Sequence, residues 1–263
     1  MSMTPEQAKA ASDRIVAHWC AGSRMTELPD ALRPATRAEG YAIQAHLEAL
    51  APLFGWKIAA TSAAGQSHIG VDGPLAGRLL ADHVYQPGAT LPWANNTMNV
   101  AEAEFAFRMG RDLPPRAAPY TVAEALAAVA TLHPAIEVPD SRFTDFAKVG
   151  GPALIADNAC AHDFVLGPAT TADWRTLNLV EHRAIGTVAG KLTREGIGRN
   201  VLGDPRIALA WLVNELSMHA ITLRAGQVVT TGTCLIPLPI QPGDEVAVDF
   251  GVLGRVSVRF GAA

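Results

Sequence analysis

The C-terminal part of the sequence alternates apolar and polar residues with a period of two. In "DEVAVDFGVLGRVSVRF", Val246, Val248 and Phe250 share one face, and Val256, Val258 and Phe260 are set to pair with them as a hairpin. "NLVEHRAIGTVAGKLTREG" reads as a second hairpin. "NVAEAEFAFRM", Asn99 to Met109, alternates too: Val100, Glu102, Glu104 and Ala106 point one way, and Ala101, Ala103, Phe105 and Phe107 the other. "PAIEV", bounded by Pro134 and Pro139, predicts a short strand carrying Glu137, and "GWKIAATS" a strand carrying Lys57.

Helical periodicity dominates the N-terminal third. Thr4-Pro5 opens a helix that runs to about Trp19 or Cys20, with Gly22 beyond it. Thr36 and Glu39 form a capping box for a helix predicted to reach Ala51, ahead of Pro52. Thr121 and Glu124 repeat that signature at the head of "TVAEALAAVATLH", and Asp204-Pro205 opens a helix that ends before Gly226. The glycine- and proline-rich passage through Gly65, Gly70, Gly73, Pro74 and Gly77 reads as loop. The strands arrive late and without alternating helices, so the class is α+β rather than a doubly wound sheet.

The chain has 263 residues, 49% of them hydrophobic, enough for a packed core. Its 21 basic residues are outnumbered by 25 acidic ones without clustering, which argues against a nucleic-acid partner. No basic-then-apolar leader and no long apolar run is present, so neither a secretory signal nor a membrane partner is expected. Cys20, Cys160 and Cys234 are odd in number and widely spaced, fitting a reduced cytoplasmic setting. His133 and His162 read as structural.

Candidate chemistry starts with Glu102 and Glu104, which project from one strand face with Cα atoms roughly 6.5–7 Å apart. Glu137, between Ile136 and Val138, is a third acid in apolar surroundings. Isolated carboxylates there would cost several kcal/mol each or protonate, and a hard divalent cation such as Mg²⁺ or Mn²⁺ removes that cost. The pattern alone leaves a solvated strand face open as the alternative. Lys57, among Trp56, Ile58 and Ala59, suits proton transfer or electrostatic clamping, or it snorkels to a strand edge. His68 follows it in the glycine-rich passage. Asp157-Asn158 and Thr231-Gly232-Thr233 are polar groups at element ends, more often turns than sites. "GTVAGKL" has the wrong spacing for a phosphate loop, and no G-x-S-x-G elbow is present.

Taken in order, "GWKIAATS", "GVDGP", "AEAEFAFRMGRDLP", "HPAIEVPDSRF", "ADNACAHDFVLG" and "TTGTCLIPLP" resemble the 2-keto-4-pentenoate hydratase and 2-oxo-3-hexenedioate decarboxylase branch of the fumarylacetoacetate hydrolase superfamily. The resemblance implies a mixed β-roll of the fumarylacetoacetate hydrolase type, with residues 1–84 as a helical and αβ N-terminal portion and 85–263 as catalytic core. It implies that Glu102, Glu104 and Glu137 bind Mg²⁺ or Mn²⁺, and that Lys57, Asp72 and Asp157 are catalytic. It also places Asn158, Thr233 and His68 at the substrate. Family members assemble as homo-oligomers, so one is expected here, with a decarboxylase as a candidate associate. The segment after Asp72 and the proline at position 139 depart from the hydratase pattern, which bears on the substrate loop rather than the metal.

The implied reaction is addition of water to a 2-hydroxy-2,4-dienoate, giving a 4-hydroxy-2-oxo acid in the catabolism of aromatic or related compounds. One alternative is decarboxylation of a 2-oxo-3-hexenedioate-type acid, with Arg78 as a candidate for the second carboxylate. Another is a catalytically silent scaffold or partner subunit. The superfamily's C–C hydrolases use a His–Glu pair for which His18 and Glu27 are no convincing equivalent.

Overall fold

A computed structural model of the chain describes residues 3–93 and 96–262. Its helices are α1 (Pro5–Ala21), α2 (Arg37–Ala45), α3 (Ala63–Ile69), α4 (Val122–Ala127), α5 (Gly151–Ala156) and α6 (Pro205–Met218). Its strands are β1 (Leu53–Ala59), β2 (Leu75–Leu80), β3 (Val84–Tyr85), β4 (Thr90–Leu91), β5 (Val100–Met109), β6 (Val129–Val138), β7 (Asp163–Leu166), β8 (Arg183–Val188), β9 (Leu192–Ile197), β10 (Val228–Thr233), β11 (Leu238–Pro239), β12 (Glu245–Asp249) and β13 (Arg255–Phe260). They form two sheets. The larger runs β2-β1-β10-β5-β6-β7-β3 with β11 beside β5, and the smaller runs β4-β13-β12-β8-β9. No helix among the described residues is long and apolar enough to cross a membrane.

Local signals set several elements. Thr4 and Gln7 cap α1 reciprocally, Pro5 occupies its first turn, and Gly22 closes it in the left-handed region at φ 60°. The Thr36–Glu39 box opens α2, but the α-helix stops at Ala45 and a 3₁₀ turn carries the chain to Ala49, short of the predicted Ala51. The C-terminal hairpin pairs Val246 with Val258 and Val248 with Val256, as the alternation requires. The hairpin of β8 and β9 forms as well.

Three expectations are corrected. Residues 63–69 are helical and residues 75–80 form β2, although both fall in the passage read as loop. Ser62 caps α3 by accepting from the Gly65 amide. Strand β2 is an edge strand whose outer polar groups are met by side chains. Tyr41 Oη accepts from the Ala76 amide and Gln44 Nε2 donates to the Ala76 carbonyl. Asn158 accepts from the Arg78 amide and donates to its carbonyl. Such partners are invisible in sequence. The "TVAEALAAVATLH" helix ends at Ala127, and Val129 begins a ten-residue strand in which Pro134 sits opposite Phe105. Long-range pairing with β5 overrides the alanine-rich local preference. Helix α6 also ends early, at Met218, where Ala220 turns left-handed at φ 57°.

The core lies between the sheets. Phe105 and Phe107, on the back of β5, are buried and pack against Phe250 and Trp174 with ring centroids 4.9 and 5.9 Å apart. That packing fixes the pleat of β5, so Glu102 and Glu104 emerge together on its other face.

Candidate active site

Four adjacent strands, β1, β10, β5 and β6, bring the charged residues together. Antiparallel register sets Glu102 directly opposite Glu137, so the two acids are cross-strand partners on one face. Glu104 lies two residues along that face. One oxygen from each of the three carboxylates lies within 4.8 Å of the others. Glu104 and Glu137 have no solvent exposure, while Glu102 is half-buried.

Lys57 reaches the cluster from β1. Its Nζ stands 3.3 Å from Glu137 Oε1 and donates to the Ala159 carbonyl at 3.2 Å. That carbonyl is presented by three successive left-handed residues, Asn158, Ala159 and Cys160, at φ 60°, 49° and 60°. Left-handed backbone is costly for alanine and cysteine, and such strain concentrates at functional sites. The sequence signals none of it.

Glu104 is held by its second oxygen. Thr230 Oγ1 and the Gly232 amide, the latter at 2.8 Å, both donate to Oε2. Gly232 has φ 90°, and a Cβ there would fall 2.2 Å from Thr61 Oγ1, so this donor requires glycine. Glu104 Oε1 and Glu137 Oε2 are buried without a hydrogen-bond partner. Such orphaned anionic oxygens cost several kcal/mol each unless a cation meets them.

Electrostatics agree. Burial raises the Glu102 carboxyl, against the pull of Lys57. Burial, then repulsion from Glu102, lifts Glu104 to about 7. Burial pushes Glu137 furthest, Lys57 opposing and the other two acids adding to it. Burial disfavours the Lys57 ammonium, yet Glu137, Glu102 and Glu104 hold its pKa above the usual lysine value. Fully ionised, the three acids and one lysine sum to minus two, the charge a divalent cation cancels. Hard oxygen donors with no nitrogen or sulfur ligand suit Mg²⁺-like ions.

A cavity of about 930 Å³ opens beside the cluster. Lys57, Glu102 and Thr233 line it, and most of the remaining wall is apolar, including Met98, Phe146, Leu202, Leu235 and Ile236. His68 lines its mouth from α3, exposed and edge-on to Phe146 at 5.9 Å. Thr233 Oγ1 donates to the Leu235 carbonyl at 2.8 Å.

The other expected site residues lie off this wall. Asp157 is fully buried, and its oxygens accept from Arg142 Nε, the Arg142 amide and Ser141 Oγ. Burial raises its carboxyl, with Arg142 pulling the other way. A carboxylate so occupied fixes a loop, and the expectation of it as a proton-transfer group is corrected accordingly. Asn158 is corrected likewise, since its amide is spent on the edge of β2. Asp72 is exposed, and its charge acts on Arg37. Arg78 is buried over Trp56 and bound to Glu48 and Gln44, so it is not the far-end cation. The cationic residue that does line the cavity besides Lys57 is Arg199, ion-paired with Glu181.

Comparisons with known proteins identify relatives of the chain. A family model described as fumarylacetoacetate (FAA) hydrolase C-terminal matches residues 61–260. The chain is 30% identical over 263 residues to a 2-keto-4-pentenoate hydratase of Paraburkholderia xenovorans (strain LB400), covering 98% of this chain and 96% of that one. It is 32% identical over 210 residues to a 2-hydroxyhexa-2,4-dienoate hydratase of Comamonas testosteroni, covering 79% and 78%. Among solved structures it is similar to 4-oxalocrotonate decarboxylase from Pseudomonas putida G7, complexed with magnesium and adipate. The TM-score is 0.88 at 26% identity, over 98% of this chain and 99% of that one.

Proposed function

This chain belongs to the fumarylacetoacetate hydrolase family, and from that premise we propose that it is a divalent-metal-dependent hydratase. Its substrate would be a 2-hydroxy-2,4-dienoate, and its product a 4-hydroxy-2-oxo acid. The observation that carries the reading is the meeting of Glu102, Glu104, Glu137 and Lys57 in one cluster, of which Glu102 and Lys57 line an apolar cavity.

Glu102, Glu104 and Glu137 would hold Mg²⁺ or Mn²⁺. The bound ion supplies Lewis acidity and an anchor for the carboxylate and 2-oxygen of the substrate. Lys57 manages protons. In the reaction the 2-hydroxyl loses its proton and C5 gains one, which leaves C3=C4 conjugated to the 2-oxo group. Water oxygen then bonds C4, and C3 takes the second proton. Lys57 Nζ is the amine that lines the cavity, clamped by Glu137 and the Ala159 carbonyl, and it would serve these proton transfers. Once the acids' charge is neutralised, burial alone draws its pKa down toward a range where it exchanges protons readily. Thr233 and His68 line the same cavity and are assigned to the substrate side. Asp157 and Asn158 position the Ala159 turn from behind, and Asp72 is left to the mouth of the loop.

The apolar wall favours a substrate whose far end is alkyl. Decarboxylation of a 2-oxo-3-hexenedioate-type acid is the second reading, supported by the likeness to the decarboxylase, with Arg199 as the group that would meet the distal carboxylate. Retention of the whole acid–lysine cluster speaks against a silent scaffold. The proposed setting is a homo-oligomer in the cytoplasm.

The test is to mix the protein with Mg²⁺ and 2-hydroxypenta-2,4-dienoate and follow near-UV absorbance, with EDTA as control. Metal-dependent decay without CO₂ release supports the hydratase. CO₂ release from the unsaturated dicarboxylate supports the decarboxylase, and no decay with any 2-oxo acid supports the scaffold.

A further inference from the structure

A second cluster of ligand-type side chains lies on the opposite face of the large sheet. In the β6–β7 register Glu137 pairs with Phe164, and Val138 pairs with Asp163. Successive strand residues alternate faces, so Asp163 points away from the glutamate cluster. His162 precedes it. His83 stands just before β3, which pairs with β7 through Val84 and Phe164.

We propose that His83, His162 and Asp163 form a site for a first-row transition-metal ion of the zinc type, separate from the glutamate centre. His83 Nδ1 is 2.8 Å from Asp163 Oδ1, and His162 Nδ1 is 3.3 Å from Asp163 Oδ2. One donor atom from each of the three residues lies within 4.8 Å of the others. Ligand atoms held at about 2.1 Å from a common ion stand roughly 3 Å apart, so both nitrogen–oxygen separations suit chelation. His162 Nδ1 is buried and makes no hydrogen bond despite that proximity. Its ring is therefore not aimed as an N–H donor to the carboxylate, and this buried nitrogen is left without a partner from the protein.

Trp19, from α1, closes the site. Its ring stacks on His162 at 5.4 Å and 22° and leans on His83 at 5.2 Å. An apolar cover of this kind fixes ring orientation and limits water, as outer shells do around metal ligands. Two imidazoles and one carboxylate prefer Zn²⁺, Co²⁺ or Ni²⁺ over the hard ions that suit three glutamates. An ion here would fasten the turn before β3 to β7 beneath α1. The sequence reading of His162 as structural is thereby extended to a ligand.

The experiment titrates Zn²⁺ into stripped protein with Mg²⁺ in excess to occupy the glutamates, by calorimetry and thermal denaturation. Co²⁺ is titrated in parallel with tryptophan fluorescence as readout. Wild-type protein and Glu104→Gln should both take up Zn²⁺ with a rise in Tm, and Co²⁺ should quench a component that Trp19→Phe lacks. His162→Ala should weaken Zn²⁺ at least about tenfold and lose the Tm rise. Should His162→Ala fail to fold, Asp163→Asn replaces it, keeping the shape while removing the charge. The proposal is overturned if no Zn²⁺ is taken up beside Mg²⁺, or if uptake survives these substitutions unchanged. Either result would leave the three residues as a metal-free hydrogen-bonded contact.

Discussion

Replacing Glu104 with glutamine should stabilise the metal-free protein while destroying its response to metal. The carboxylate is fully buried, with one oxygen orphaned and two like charges no more than 4.8 Å away. At an effective dielectric of about 20, one such pair repels by about 3 kcal/mol or more. Proton linkage gives a similar figure. Lifting the carboxyl from 4.5 to about 7 on folding costs on the order of 3 kcal/mol once the group ionises. The sign follows from the raised value. Between the unfolded and folded pKa the native state binds more protons, so stability of the metal-free protein falls as pH climbs from about 4.5 toward 7 and then levels. Glutamine can still accept from Thr230 and Gly232 through its carbonyl oxygen, so little else is lost. Urea unfolding in EDTA at pH 8 should find Glu104→Gln more stable than wild type by about 2–4 kcal/mol, with the two converging near pH 5. Adding Mg²⁺ should raise the wild-type midpoint and leave the variant's unmoved. A variant less stable than wild type in EDTA at pH 8 would refute the argument, because the carboxylate would then be well satisfied by the protein alone.

Other substitutions separate the roles. Lys57→Met should lower kcat by about 10²–10⁴ without weakening Mg²⁺, because it removes a competing cation; titration calorimetry beside turnover checks the split. Lengthening an alkyl tail on the dienoate should raise kcat/KM by about fourfold per CH₂ while the apolar wall still covers it, at about 0.8 kcal/mol each; a tail series measured at fixed Mg²⁺ tests this, and a flat series would mean the tail stays in solvent. Asp157→Asn should cost about 3–5 kcal/mol by breaking the buried pair with Arg142, read from the urea midpoint with metal present.

The residues most legible in sequence were those governed by short-range periodicity. Alternation along Asn99 to Met109 put Glu102 and Glu104 on one face and Phe105 on the other, and β5 has that arrangement. The meeting of Glu137 with Glu102 depends on the register of two strands some thirty residues apart in the chain. No local signal fixes that register: the pattern raised a shared cation with a solvated strand face as the alternative, and the family resemblance chose between them. Strand β2 hid among glycines because its stability comes from Tyr41, Gln44 and Asn158 side chains supplied by distant segments. Gly77 is required in that strand, as a Cβ would sit 2.2 Å from the Asn158 carbonyl. The polar pair Asp157-Asn158, a turn by its pattern and a site only by the family resemblance, sits as architecture, since composition does not tell an oxygen facing a cavity from one facing Arg142. Conversely, the Ala159 carbonyl that holds Lys57 belongs to a residue with no polar side chain at all.

The central claim is that one hard cation sits among Glu102, Glu104 and Glu137 and faces the apolar cavity. Diffraction from crystals soaked in Mn²⁺ with oxalate, recorded for anomalous signal, tests it most directly. The account predicts a strong peak bounded by those three carboxylates, with oxalate on its cavity side near Lys57. A map with no peak there, or with the glutamate oxygens turned toward protein donors, would contradict it.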